Sequence, residues 1–241
     1  MGAYARRLTR ATIPAAAGGG GGGAVPPVVL DVWTASTRNG SPVNFTFPTA
    51  PAAGECIVVV AAVNDRGGYA PYATGYTPGV ANPAGGPAGT MLALSSKIMG
   101  STPDTSVQVN STGSAQDAMS VIIYRIVGVA SSGDAAAGAD TGVATGGELN
   151  EQTFSAPPVT VAGAALVLSA FGVGSNPNNV QINLVGYTND ASASETDTNR
   201  ATVASAHLAV DTAGFHDPGV WTVQNYTVGL TFAVATLALE G

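Results

Sequence analysis

Acid–base or metal chemistry in this chain would have to be built from two histidines, His207 and His216, one cysteine, Cys56, and fifteen carboxylates. A hydrolytic triad needs a serine on a sharp elbow, and no Gly-x-Ser-x-Gly occurs. Zinc needs three or four spaced ligands, yet His-x-x-x-His and Cys-x-x-Cys are both missing. A pair of carboxylates, as in glycoside hydrolysis, is the remaining route. Asp190, Glu195 and Asp197 cluster in the polar stretch 189–200, and Asp134 and Asp140 in 131–147. Both stretches read as solvated loops, and neither has the Asp-x-Asn-x-Asp-Gly spacing of a dedicated calcium loop. Gly67-Gly68 and Gly85-Gly86 do not open a helix with Gly-Lys-Ser or Gly-Lys-Thr, so no phosphate cradle is expected. Cys56 starts the apolar run Cys-Ile-Val-Val-Val and reads as a buried thiol, and a single cysteine forms no intrachain disulfide. The expectation is a chain that is not an enzyme, with no catalytic residue, metal or cofactor. A polysaccharide hydrolase using Asp190, Glu195 or Asp197 is the last of the alternatives.

Recognition chemistry is better represented. Residues 66–89 carry Tyr69, Tyr72 and Tyr76 among glycines and prolines, with Asn82 nearby. Tyrosines with small polar neighbours suit a contact surface, including stacking on sugar rings. The competing expectation is that these rings cap one end of the fold or pack on a neighbouring subunit.

The elements that must position these residues are strands. No window of 11–18 residues keeps apolar groups at the 3.6 period, and the alanine run 135–137 is short and followed by glycine. Short β-branched runs separated by Gly, Pro and Asn predict an antiparallel β-sandwich of jelly-roll type. The chain also repeats itself. Thr46-Phe47 with Pro48, and Thr153-Phe154 with Pro157, each lead to a glycine and then an apolar run, 56–63 and 164–171. Gly75-Tyr76-Thr77 returns as Gly186-Tyr187-Thr188, and the apolar strand 120–127 as 231–238. The offset drifts from 107 to 111 residues, as short loop insertions on a common plan would produce. Middle strands are expected at 91–98 and 202–210. The last strand of each half is apolar on both faces, which predicts a central strand covered on both sides. The half-repeats span about 40–130 and 147–241, expected as paired sheets around one core.

Ahead of this domain (25–241) stands an N-terminal arm, 1–24. It carries Arg6, Arg7 and Arg10 with Leu8 and Ile13, no acidic residue, and a joint of Gly18, Gly19, Gly20, Gly21, Gly22 and Gly23. The remainder holds five basic and fifteen acidic residues, a formal charge of −10. An acidic body argues against a nucleic-acid interface. Three arginines fit contact with a partner's carboxylates, so Arg6, Arg7, Leu8, Arg10 and Ile13 are the expected docking residues. No apolar h-region follows Arg6-Arg7, and the sixth residue is Arg where a myristoylation motif wants Ser or Thr, so neither export nor a lipid anchor is expected. Nor is there an apolar stretch of about 20 residues to enter a membrane. Six glycines have an end-to-end distance of about 13 Å and cannot exceed about 22 Å.

An apolar-Phe strand, proline, glycine, Ile-Val-Val-Val and then Gly-aromatic-Thr resembles β-sandwich virion proteins of tailed bacteriophages and of gene transfer agents. The resemblance covers about residues 43–239; in such proteins the aromatic is often tryptophan, where Tyr76 and Tyr187 stand here. It implies a head decoration, spike, fibre or tail-tip protein. The short N-terminal segment would plug into a major capsid, vertex or portal-associated protein, and the chain would form a homo-oligomer located in the virion. Binding of a host-surface glycan or receptor is the alternative role.

Overall fold

The computed structural model describes residues 25–38, 42–65, 70–83, 89–111, 118–138, 151–174, 181–195, 200–224 and 232–241. The whole arm, with its docking residues and glycine joint, lies outside them, as do Tyr69, Asp140 and Asp197.

Among the described residues every regular element is a β-strand. The first half contributes β1 (Val28–Thr37), β2 (Val43–Thr46), β3 (Cys56–Asp65), β4 (Tyr72–Ala73), β5 (Thr77–Pro83), β6 (Gly89–Ile98), β7 (Ser106–Asn110) and β8 (Met119–Val127). They pair antiparallel into an inner sheet, β1-β8-β3-β6-β5, and an outer sheet, β2-β7-β4. The second half contributes β9 (Ser131–Gly138), β10 (Glu151–Ser155), β11 (Val159–Val161), β12 (Ala165–Val173), β13 (Gln181–Leu184), β14 (Thr188–Ser194), β15 (Thr202–Val210), β16 (Gly214–His216), β17 (Val220–Gln224) and β18 (Phe232–Glu240). Its inner sheet runs β14-β15-β12-β18-β9, its outer sheet β10-β17-β13, and β11 and β16 form a separate ribbon. Setting that ribbon aside, the two halves have the same strand order. First strand beside eighth, third beside sixth and second beside seventh is the jelly-roll wrapping of two Greek keys. The internal repeat is therefore a tandem of two jelly rolls. Each half begins one strand earlier than expected, with β1 and β9, so Asp134 belongs to a strand and not to a loop.

The expected single core is replaced by four clusters. Along β3, Ile57, Val59, Ala61 and Val63 face the outer sheet of their own half, while Val58, Val60 and Ala62 face the second half. The same alternation holds on β12, where Leu166, Leu168 and Ala170 face the first half. A strand with apolar residues on both faces must be covered twice. The result is four layers, outer–inner–inner–outer, with one cluster inside the first jelly roll, two inside the second and one between the two inner sheets. The inner sheets approach closely at Gly172, where a Cβ would stand 3.0 Å from the Ala62 Cβ and 3.4 Å from a methyl of Leu92.

Strand directions give the molecule two distinct ends. Val25 and Gly241 lie in contact at the near end, where the Gly241 amide donates to the Ala164 carbonyl at 3.0 Å. The strand ends that flank the β1–β2, β3–β4, β5–β6 and β7–β8 connections, and their counterparts in the second half, are at the opposite, far end. At the near end of the first half Arg125 holds two carboxylates: it donates twice to Glu55, at 2.7 and 2.9 Å, and once to Asp31 at 3.0 Å. Burial works against the Glu55 charge. The Arg125 hydrogen bonds and the Ala52 amide outweigh it and hold the carboxyl below its ordinary value.

Gly172→Val should destabilise the protein by about 1–3 kcal/mol through overpacking between the inner sheets, and a compensating Ala62→Gly should restore part of the loss in urea unfolding. For Glu55, the folded carboxyl titrates lower than the unfolded one. Its stabilisation is complete above the ordinary glutamate range and is lost as pH falls through the lowered folded value. Glu55→Gln should cost about 2 kcal/mol at neutral pH and flatten the fall in urea midpoint below about pH 5.

Candidate functional site

The outer face of the first jelly roll has the chemistry of a recognition surface. Period-two alternation on β2 and β7 sends Val43, Phe45, Val107 and Val109 inward and leaves Asn44, Thr46, Ser106 and Gln108 outside. These strands pair with Asn44 opposite Gln108, and Asn110 stands opposite Tyr72 on the edge strand β4. The Gln108 amide donates to Asn44 Oδ1 at 2.9 Å, and the Asn110 amide donates to Thr74 Oγ1 at 2.8 Å. Among the described residues the face is thus a neutral ladder of amides and hydroxyls, bordered by the Tyr72 ring at 46% exposure. Hydrogen-bonding groups in a flat row beside an exposed ring match the two needs of a sugar: hydroxyl partners and a stacking platform.

The three candidate tyrosines separate. Tyr72 is on this surface, and Tyr69 lies outside the described residues. Tyr76 is a correction: it is only 8% exposed and packs in the first jelly-roll core, with Lys97 Nζ 5.6 Å from its ring centroid. The cause is the turn. Gly75 takes φ 79°, the Tyr76 amide donates to the Ala73 carbonyl, and Thr77 starts β5. Gly186, at φ 85°, and Tyr187 repeat that turn in the second half, with the Tyr187 ring against its core. Gly-Tyr-Thr is therefore a structural plug, with glycine supplying the positive φ that a side chain disfavours. The glycine- and proline-rich stretch 66–89 holds the strands β4 and β5.

The carboxylates expected in the loop 189–200 also separate. Asp190 is on β14, and Glu195 follows the strand, accepting from Ser36 at 3.1 Å and pairing with Arg38. Five extended residues put their backbones about 16 Å apart, beyond the spacing of a glycosidase pair. Asp190 instead joins a buried cluster across the two halves. It accepts from His207 Nδ1 at 2.7 Å and from the Tyr124 hydroxyl at 2.8 Å. Tyr124 has one proton to give, so the Ser205 hydroxyl must donate to the phenol oxygen. Burial drives the Tyr124 phenol well above its ordinary value, and the Asp190 charge adds to this. Aspartate, histidine and serine are together, but not as a triad: the Ser205 hydroxyl is committed to Tyr124, and Ser205 is 1% exposed.

The equivalent place in the first half shows what the fold itself requires there. Gly79 and Asp190 are the bulged residues of matching strand pairs, with Ser96 matching His207 and Leu94 matching Ser205. Tyr124 matches Ala235 at the same offset. One copy is filled by small and apolar groups, the other by a hydrogen-bonded cluster, so the jelly roll does not demand the cluster. No sequence motif marked it, because a bulge aims Asp190 and a different half supplies Tyr124.

Cys56 is buried as expected, and burial pushes its thiol up to about 11. The His216 Nε2 has no hydrogen-bond partner among the described residues, which also hold no group of three or more His, Cys, Asp or Glu suited to a metal. Comparison with protein-family models, with curated proteins and with solved structures gives no match.

Tyr124→Phe should cost about 1–3 kcal/mol by leaving Asp190 short of a donor in the core. Combined with Asp190→Ala, the loss should be less than the sum by about 0.5–3 kcal/mol, measured as a double-mutant cycle in urea.

Proposed function

We propose that this chain is a structural component of a tailed-phage or phage-like particle, fixed through its N-terminal arm to a capsid or vertex protein and displaying the tandem jelly roll. The carrying observation is polarity. The described fold starts at Val25, at the near end, and the strand ends that flank four connections of each half lie at the other. Attachment at one end, with those strand ends turned away from it, is the arrangement of an anchored, outward-facing module. The buried or paired state of Asp190, Glu195 and His207 supports a role without catalysis. A glycine joint that reaches at most about 22 Å keeps the body close to its anchor. Low overall charge, 10% of residues, suits a module packed among copies of itself.

A second reading, recognition of a host-surface glycan, is favoured by the neutral amide ladder beside Tyr72. The two readings are compatible, since one uses the arm and the other an outer face.

Deleting residues 1–23 should abolish incorporation into particles while leaving the thermal midpoint of the body unchanged; normal incorporation of the truncated chain overturns the anchoring role. Tyr72→Ala should lower host adsorption of complete particles several-fold with particle yield unaffected, and unchanged adsorption removes the glycan reading.

A further inference from the structure

Three large apolar side chains stand in water at the near end of the second half: Val185 at 77%, Phe215 at 68% and Val220 at 41% exposure. Two of them are neighbours, and the third precedes Val220 by five residues. Leu184 of β13 pairs with Trp221 of β17, so the next residues outward, Val185 and Val220, stand side by side. Phe215 is on β16, and the chain returns from it to Val220 through a turn in which the Gly219 amide donates to Asp217 Oδ1 at 2.8 Å. Asp217 is also close enough to Tyr187 for its charge to raise that phenol, behind the larger effect of burial. The matching position of Val185 in the first half is the exposed Thr74, and the ribbon that carries Phe215 has no counterpart there. This apolar surface is therefore particular to the second half.

Its rim is negative. Asp217 borders the patch, and Asp211 and Glu240 flank the adjoining near end of β12, where Val210 and Glu240 both pair with Ala165. The described cations are elsewhere. Lys97 is bound to Asp104, Arg125 to Glu55 and Asp31, and Arg38 and Arg200 lie towards the far end. An occupant of this surface has to be apolar and cationic.

Residues 4–13 of this chain have that composition: Tyr4, Leu8 and Ile13 with Arg6, Arg7 and Arg10. They are also tethered at the right place. Val25 touches Gly241, which is bonded to Ala164 beside the acidic rim. Residues 18–24 span at most about 25 Å, and so short a flexible link holds the arm at an effective concentration of about millimolar. We propose that residues 4–13 of the arm dock in cis on the Val185–Phe215–Val220 face. The contact covers the patch when no other partner holds the arm, and a partner that takes the arm exposes it. It goes beyond the anchoring role and does not depend on it.

The test is limited trypsin digestion of the full-length monomer, following cleavage at Arg6, Arg7 and Arg10 by mass spectrometry, with a synthetic peptide of residues 1–17 as reference. Cleavage should be at least about tenfold slower in the protein at low ionic strength, and the protection should fall as salt screens the arginine–carboxylate contacts. Phe215→Ser with Asp217→Asn should remove the protection without moving the thermal midpoint, since one side chain is exposed and the other substitution keeps the Oδ1 acceptor. Cleavage as fast as the free peptide overturns the proposal. So does protection that survives the double substitution. Protection that rises with protein concentration also overturns it, assigning the arm to a second copy. Incorporation of the double variant into particles reports on the anchoring role alone.

Discussion

Two inner sheets with apolar residues on both faces impose the architecture. A three-stranded outer sheet covers one face of each, and only the other half of the chain is available to cover the second. Leu92, Leu94, Ile122, Leu166, Leu168 and Leu237 all meet in that shared core. At about 1.5–3 kcal/mol for each such side chain, separating the halves would expose about 9–18 kcal/mol of burial, comparable to the whole stability of a domain. The duplication is therefore obligate: neither jelly roll is a finished unit without the other. The close approach at Gly172 and Ala62 follows from the same demand, because a well-packed core leaves no space between the sheets.

Upon this shared plan the two copies have diverged where polar groups meet the core. The bulge that holds Gly79 in one half holds Asp190 in the other. Arg125 is tied to Glu55 and Asp31, whereas Thr236, at the matching position 111 residues on, is fully buried and its hydroxyl has no hydrogen-bond partner among the described residues. The Tyr124–Asp190–His207–Ser205 cluster joins strands of opposite halves, and hydrogen bonds of that kind are directional where apolar packing is not. It marks one of two pseudo-equivalent edges and so fixes how the sheets are set against each other.

The surfaces divide by the same logic. Where the sheets are covered, both faces of a strand are apolar; where the outer sheet of the first half meets water, it shows uncharged amides and hydroxyls. The near end holds Val25, the C-terminal Gly241 and the acidic groups Asp211, Asp217 and Glu240 of the second half. An arm of opposite charge leaves from the acidic end. The proposed docking of the arm at the near end and the proposed recognition by the outer face thus use different parts of the fold.

Much of this was legible locally. An unbroken apolar run placed the strand at 56–63 and scattered apolar positions the one at 202–210, each within a residue or two, and the recurrence of Gly-Tyr-Thr marked a turn used twice, because glycine at positive φ and the residues beside it act over four positions. Burial on both faces of the last strands was readable from composition alone. The fate of Tyr72 and Tyr76 was not: they have the same parity and similar neighbours, and only the turn at Gly75 sends one ring into the core and leaves the other on an edge strand. Asp190 looked like part of an acidic loop because a bulge has no composition of its own. Tyr124 and Ser205 are 81 residues apart, and Ser36 and Glu195 are 159 apart. The amino-acid sequence by itself determined the strands, the repeat and the charge contrast between arm and body, all set by short-range stereochemistry and residue type. The number of cores, the pairing of the halves and the surroundings of each candidate side chain were decided only by tertiary structure, since they depend on contacts between residues that the local sequence cannot relate.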